Sequence, residues 1–309
     1  MIERQIKGNL LPKNPEAGRA KGRFPSWLHQ TLSKGVDSFK TDVLLNGAEL
    51  NTVCREAKCP NRSECFSRKT ATFLALGKHC TRACGFCDID FNKQPKPPDP
   101  NEPERIAKSV CALGLRHVVI TMVARDDLPD QGASHLVKII QAIRGENAET
   151  TIEVLTSDFS GKQELIDLVL AEKIEIFNHN IETVRRLSPS VRHKASYERT
   201  LKVLRYVKQS GKVPWVKSGI MVGLGETESE VQETLQDLRD AGCGIVTMGQ
   251  YLQPNRYKLV VKSFVSPEQF KDYALYGQQL GIPHMYCGPF VRSSYNADLL
   301  KAQAFKDRL

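Results

Sequence analysis

Thr72-Phe-Leu-Ala-Leu76 leads, across Gly77-Lys-His79, into Cys80-Thr-Arg-Ala-Cys84-Gly-Phe-Cys87, so a short apolar segment feeds a C-x3-C-x2-C array. An apolar run this short, closed by glycine, fits a buried strand, and the cysteines then fall in the loop behind it. Three thiolates so close in sequence can all reach one iron–sulfur cube, whose four irons are ordinarily held by cysteine. Three local ligands leave one iron open to a substrate or cofactor, unless a distant residue fills it. Zinc suits the pattern poorly. Its sites take four protein ligands in pairs, such as C-x2-C with a second C-x2-C or an H-x3-5-H, and only His79 stands beside this array. A disulfide framework is expected less still in a long chain with no apolar secretory signal.

Upstream lies a second triad, Cys54-Arg-Glu-Ala-Lys-Cys59-Pro-Asn-Arg-Ser-Glu-Cys65, a C-x4-C-x5-C run. Each triad is locally complete, and Pro60 with polar turn residues breaks this earlier one. Two clusters are therefore expected rather than one site drawing on both. Cys111, Cys243 and Cys287 lack partners at suitable spacing and read as structural.

The 309 residues suffice for one large α/β domain or two small ones, and 40% hydrophobic with 26% charged residues is ordinary for a soluble globular protein. No apolar run is long enough to span a membrane. The N-terminus has no apolar core and is not a clear transit peptide, so the expected location is cytoplasmic. A net charge of +9 speaks of partners rather than fold. Its excess gathers early, in Arg4, Lys7, Lys13, Arg19, Lys21, Arg23, Lys34 and Lys40 against Glu3, Glu16 and Asp37. Such an arm is either simply solvated or guides an acidic partner. The sparse aromatic residues form no stacking platform, so nucleic acid is not an expected partner.

Beyond the proline-rich loop after Cys87, strand and helix patterns alternate, the mark of βαβ units and a parallel sheet. Asn101 is expected to cap a helix to about Leu113, with Glu104 as its capping-box partner. Strands follow at His117–Val123, Thr151–Thr156, Ile174–Asn178, Trp215–Val222 and Ile245–Gly249. Helices fall at about Ala133–Arg144, Gln163–Ala171, Ser196–Gln209, from the Thr227–Glu230 capping box to Asp240, and from Ser266-Pro267 to Leu280. With the strand at Phe73 this makes six β/α units, fewer than the eight that close a TIM barrel.

Reactive groups of such barrels gather at the C-terminal ends of strands. The polar clusters fall there: Arg125-Asp-Asp127, Asp158, Asn178-His-Asn180 with Glu182, Gly223-Leu-Gly-Glu226, and Gln250-Tyr-Leu-Gln253. Each has a plainer reading. Asp126 and Asp127 also suit helix caps, His179 a satisfied core histidine, and Gly219–Glu226 an ordinary glycine-rich turn.

The C-x3-C-x2-C array, with Phe86 before its last cysteine, is similar to the signature of the radical S-adenosylmethionine (radical SAM) enzymes. With the second triad closely upstream, the chain resembles the lipoyl synthases from about residue 49 to its end. That resemblance implies an α/β fold, a partial (β/α)6 TIM-type barrel over 71–282. An arm and auxiliary-cluster segment over 1–70 precede it, and a tail over 283–309 closes on the auxiliary cluster. It implies two 4Fe-4S clusters. One sits on Cys80, Cys84 and Cys87, its open iron chelated by the amino and carboxylate groups of SAM. The auxiliary one sits on Cys54, Cys59 and Cys65. Arg292-Ser-Ser-Tyr295 resembles the family's R-S-S-Y motif, which makes Ser294 the fourth auxiliary ligand. A serine alkoxide holds iron more weakly than a thiolate, which suits a cluster meant to come apart. Gly219-Ile-Met-Val-Gly-Leu-Gly-Glu226 resembles the motif G-x-I-x-G-x-x-E, whose backbone packs on adenine, with Met221 replacing the usual isoleucine. The expected SAM contacts are then Asp126, Asp127, Asn178, Asn180, Gly223 and Glu226, with Arg292 facing substrate.

The implied reaction inserts sulfur at C6 and C8 of an octanoyl chain amide-linked to a lysine. It uses two SAM per product, and sulfide from the auxiliary cluster. The expected acceptor is the octanoylated lipoyl domain of a 2-oxoacid dehydrogenase or a glycine cleavage H-type protein. A reducing electron donor and an iron–sulfur carrier that rebuilds the cluster are also expected, with the protein itself a monomer. Two stretches depart from the family pattern. Thr156-Ser-Asp-Phe159 lacks a proline before Asp-Phe, and Asn255-Arg-Tyr-Lys-Leu-Val-Val261 lacks His-Leu-Pro-Val. Other radical SAM sulfur inserters, methylthiotransferases or biotin-synthase-like enzymes, are disfavoured by the paired triads and the tail motif. A non-catalytic iron–sulfur carrier would not need the strand-end polar clusters.

Overall fold

The computed structural model describes residues 24–29, 36–192 and 194–295. Three helices, α1 (Val36–Gly47), α2 (Val53–Glu56) and α3 (Arg62–Ser67), precede β1 (Thr72–Ala75). The two-residue strands β2 (His79–Cys80) and β3 (Asp90–Phe91) pair only with each other. Then come α4 (Glu102–Ala112), β4 (His117–Met122), α5 (Ala133–Glu146), β5 (Thr151–Leu155), α6 (Gln163–Leu170) and β6 (Ile176–Asn178). The series continues through α7 (Ser188–Val191), α8 (Tyr197–Ser210), β7 (Trp215–Val222), α9 (Glu228–Asp240), β8 (Ile245–Gln250), α10 (Pro267–Gln279) and β9 (His284–Gly288).

Seven strands form one parallel sheet in the order β1-β4-β5-β6-β7-β8-β9. Each crossover carries a helix, and the edges β1 and β9 do not pair, so the barrel stays open on one side. The six expected β/α units are all present, and a seventh strand that the sequence reading did not give follows them. His284–Gly288, placed after the barrel from sequence, runs parallel to β8 from Ile245↔His284 to Gly249↔Gly288. Its mixed polar and apolar residues give no apolar run to announce it. The capping box at Asn101 is also absent. The Asn101 side chain makes no cap hydrogen bond, its backbone N–H donates to Asp99 Oδ1, and Glu104 pairs with Lys108 instead. The Thr227–Glu230 box and the Ser266 cap are present as expected.

Alternation along the strands divides the two faces. Val118, Ile120, Val154, Phe177, Val216 and Val246 face out and join one buried core with Leu136, Ile140 and Leu235 of the helices. The inner face is partly charged. Lys217 Nζ donates to both Glu153 carboxylate oxygens at 2.9 Å, and Asn178 Nδ2 donates to one of them at 2.8 Å. All three residues are fully buried. Burial alone would raise the Glu153 carboxyl, but the Lys217 ammonium and the His117 ring hold it down to about 2.

Described segments from before β1 and after β9 lie at the open side. Leu74 N–H donates to Asn51 O at 2.9 Å and Thr52 bridges antiparallel to Phe73, so the segment just ahead of Cys54 lies on the free edge of β1. From the other end, the segment after β9 crosses over Gly249. A Cβ there would lie 2.0 Å from Val291 O, so only glycine admits that crossing. Among the described residues no helix is long and apolar enough to cross a membrane.

Candidate functional site: two cysteine triads in one cavity

The loop from Cys80 to Cys87 is fastened to the ends of several strands. Thr81 N–H donates to Ala124 O at 2.9 Å, Gly85 N–H to Val191 O at 3.0 Å, and Leu259 N–H to Gly85 O at 3.0 Å. Arg82, between two of the cysteines, is the main anchor. Its guanidinium reaches Asp126 at 2.7 Å and Asp158 at 2.8 Å. Arg199 takes the other Asp158 oxygen at 3.0 Å. Burial would raise the Asp158 carboxyl, but the Arg82 guanidinium beside it holds it at about 2. Asp88, just after Cys87, pairs with Lys58 of the upstream segment at 2.7 Å and accepts a hydrogen bond from Asn255. The departing stretch around Leu259 is therefore a strap over this loop, with Tyr251 donating its hydroxyl to Leu259 O at 2.7 Å.

The tail closes over the other triad. Thr72 Oγ1 donates to Ser294 Oγ at 2.7 Å, Asn180 Nδ2 to Ser293 Oγ at 2.8 Å, and Tyr295 to Glu64 at 2.8 Å. Asn61 Nδ2 donates to Phe290 O at 2.7 Å. Burial pushes the Arg292 guanidinium below its ordinary value, and its charge lies beside Cys59.

Both triads open into one cavity of about 530 Å³, whose lining includes all six cysteines with Arg292, Ser293 and Ser294. Burial, then the charges of Cys54 and Cys59, pushes the Cys65 thiol up to about 12. Cys54 rises to about 11 through burial, with Cys59 adding to it. Burial, then Cys84 and Cys80, likewise raises Cys87 to about 12, and burial with Cys80 raises Cys84 to about 11. The thiols are thus neighbours within each triad, close enough to raise one another. Among the described residues no three His, Cys, Asp or Glu side chains converge to hold a single metal ion. Thiols grouped in threes on the wall of one cavity fit multi-iron clusters, whose charge would deprotonate them.

Asn180 lines the cavity, and its Oδ1 and the Thr156 Oγ1 are buried without a protein hydrogen-bond partner. Orphaned acceptors on a cavity wall fit a polar cofactor. The other five expected SAM contacts do not line the cavity. Asp126 is engaged by Arg82, and Asp127 by Arg125 at 2.8 Å. Asn178 belongs to the Glu153–Lys217 network. Gly223 adopts φ +101, and its N–H and that of Leu224 both donate to the Glu226 carboxylate, so these residues build the turn after β7. The cavity wall there comes from Gly219, Ile220 and Met221 of the same motif. Sequence reading passed over Arg82, Arg192 and Thr72. An arginine enclosed by cysteines of a cluster array was a visible signal; the other two carried none.

His179 is a satisfied core histidine. Its Nδ1 lies 2.9 Å from Thr156 O and its Nε2 3.2 Å from Thr200 Oγ1. A carbonyl only accepts, so Nδ1 carries the proton. Burial, then the nearby Arg192 charge, pushes its pKa down to about 4. The folded value lies below that of an unfolded histidine, so the unfolded chain takes up the proton first. This contribution is full above pH 6.5 and is lost as pH falls toward 4, by about 3 kcal/mol at roughly 1.4 per unit. Denaturant unfolding across pH 6.5 to 4.5 checks this. An equally steep slope in His179→Gln would remove the histidine as its source.

Residues 74–238 match the model of the radical SAM superfamily. The chain is 63% identical over 302 residues to a lipoyl synthase of Protochlamydia amoebophila, covering 96% of this chain and 94% of that protein. It is 54% identical to a lipoyl synthase of Chlamydia muridarum, covering 97% and 98%. Among solved structures, methylornithine synthase superposes with a TM-score of 0.53 at 16% identity, over 82% of this chain and 75% of that one, a likeness of fold. With the family model spanning the β/α core and the relatives spanning nearly the whole chain, cysteine triads and tail included, this chain belongs to the lipoyl synthase family of the radical SAM superfamily.

Proposed function

We propose that this chain inserts two sulfur atoms, at C6 and C8, into an octanoyl chain amide-linked to a lysine of an acceptor lipoyl domain. The observation that carries the reading is the opening of both cysteine triads and Ser294 into one cavity. Cys80, Cys84 and Cys87 would hold the 4Fe-4S cluster that binds SAM, and Cys54, Cys59, Cys65 and Ser294 the auxiliary cluster. When bound, the first with SAM supplies a radical strong enough to take hydrogen from an unactivated carbon, and the second supplies sulfur.

The chain's own residues bind, orient and exclude water. Arg82 holds the first loop rigid through Asp126 and Asp158. Asn180 and Thr156 present acceptors to the cofactor's donor groups, and Asn180 also holds Ser293 of the tail. Arg192, buried, donates to Ile181 O at 3.0 Å and to Thr200 Oγ1 at 3.2 Å, which keeps a cation against the wall shared by Glu182 and Cys84. Burial raises the Glu182 carboxyl despite that cation. Leu74, Val119, Leu155 and Ile220 supply apolar wall for an alkyl chain and keep water from a reactive carbon. The strap at Leu259 and the tail at Val291 close the two ends of this wall.

The acceptor in this reading is an octanoylated lipoyl domain of a 2-oxoacid dehydrogenase or of a glycine cleavage H-type protein. A reducing electron donor drives turnover, and an iron–sulfur carrier rebuilds the auxiliary cluster. The chain works as a cytoplasmic monomer. The test is mass spectrometry of an octanoyl-lysyl peptide incubated anaerobically with reconstituted protein, SAM and a strong reductant. Two added sulfurs with 5′-deoxyadenosine formed alongside is the expected result. Deoxyadenosine without sulfur insertion would overturn the substrate, and neither product with both clusters intact would overturn the reaction.

A further inference from the structure

We propose that Thr72 is the positioning residue that keeps Ser294 on the auxiliary cluster, and so sets how readily that cluster gives up iron. The inference rests on the reading of Ser294 as the fourth ligand.

Thr72 opens β1 and is 5% exposed. It touches two members of the auxiliary ligand set. Its hydroxyl donates to Ser294 Oγ at 2.7 Å. Its backbone lies beside the Cys54 thiol. The strand that leads into the first triad's loop is thereby also a wall of the second site. The three side chains at the end of the Arg292–Tyr295 motif are each held by a different wall. Asn180 holds Ser293, Thr72 holds Ser294, and Glu64, next to the ligand Cys65, holds Tyr295. Thr72 is the one that meets the ligand oxygen itself.

The chemistry gives that contact a direction. As an iron ligand, Ser294 gives up its proton to solvent, and its oxygen becomes a strong acceptor. A hydroxyl donated to a charged oxygen is shorter and roughly twice as strong as one between neutral groups. Thr72 keeps its own proton and donates, which favours the ligated form of Ser294 over the free hydroxyl. β1 pairs with β4 along its whole length, from Thr72↔Val119 to Ala75↔Met122, so the donor cannot drift from its acceptor. A weak ligand with a rigid hydrogen-bond donor behind it stays on while the cluster is whole, yet leaves more easily than a thiolate would.

The experiment follows iron release from the reconstituted full chain to a ferrous chelator under anaerobic conditions, counted as iron per chain. It is repeated with Cys80, Cys84 and Cys87 all changed to alanine, where only the auxiliary site can load. Thr72→Val keeps the shape and loses the donor, Thr72→Ser keeps the donor, and Ser294→Ala removes the ligand. Losing a hydrogen bond to a charged oxygen predicts release faster by about tenfold or more in Thr72→Val. Ser294→Ala is expected to be at least as fast, and Thr72→Ser close to the parent. Thermal unfolding of the iron-free variants verifies that each folds. If Ser294→Ala is fast but Thr72→Val matches the parent, the role given to Thr72 is overturned and the ligand reading stands. If Ser294→Ala matches the parent, the ligand reading itself fails. If Thr72→Val and Thr72→Ser are equally fast, the methyl group and its packing are responsible, which also overturns the proposal.

Discussion

Cys84→Ala is expected to end SAM cleavage, with no detectable 5′-deoxyadenosine, while the reconstituted protein keeps about half of its iron. In the reading proposed above, three cysteines are the whole local ligand set of a cluster whose remaining iron stays open for the cofactor. Removing one leaves two, and no His, Asp or Glu side chain stands in the array to replace it. Cys84 is half-buried near Cys80, and the Arg192 charge favours its thiolate. The auxiliary triad lies on a separate stretch of chain, so its loading should survive. Iron and sulfide counts, with deoxyadenosine quantified by chromatography, check both halves of the prediction. Equal loss of iron from both sites would mean that the triads form one site. Full iron content with cleavage intact would remove Cys84 from the ligand set.

Arg82→Met should have the largest effect on stability, about 3–5 kcal/mol. That is the range for breaking a buried ion pair from one side, because an uncompensated charge is left behind. Arg82 faces two carboxylates, at 2.7 and 2.8 Å. Asp158 has no exposed surface, and of the two arginines paired with it directly, Arg199, which is partly exposed, would remain. Its carboxyl, now held at about 2, should rise toward the ordinary range in the variant. A second change, Asp158→Asn, should recover part of the loss, since an amide costs less to bury than an unpaired carboxylate. Arg82→Lys keeps the charge but cannot bridge both partners, and should fall between. Denaturant unfolding of the four proteins measures this. A loss below about 1 kcal/mol in Arg82→Met would show that the network contributes no more than a surface pair. Because Arg82 lies between two cluster ligands, its variants should also load less iron at the first triad.

Much of the architecture was legible because its signals are local. Ligand spacing within Cys80–Cys87 and Cys54–Cys65 needs no knowledge of the fold. Apolar strands such as His117–Met122 and caps such as Thr227 with Glu230 are likewise read over a few residues. Strand β9 was not legible. Its partner is supplied by register with β8, and nothing within five mixed residues declares that pairing. The polar clusters at the strand ends were located, but their side-chain directions were not. Asp126, Asp127 and Glu226 satisfy neighbours rather than the cavity, because an arginine or a row of turn amides reaches them first.

By itself the sequence determined the two cysteine triads, the β/α order that raises one of them at a strand end, and the serine pair in the tail. Those follow from covalent spacing and short-range periodicity. Only the tertiary structure decided that the triads share a cavity, that Arg82 fastens one loop to two strands, and that Thr72 meets Ser294. That last pair is 222 residues apart in the chain, and its 2.7 Å contact exists only because the barrel is left open and segments from before and after it meet at the gap.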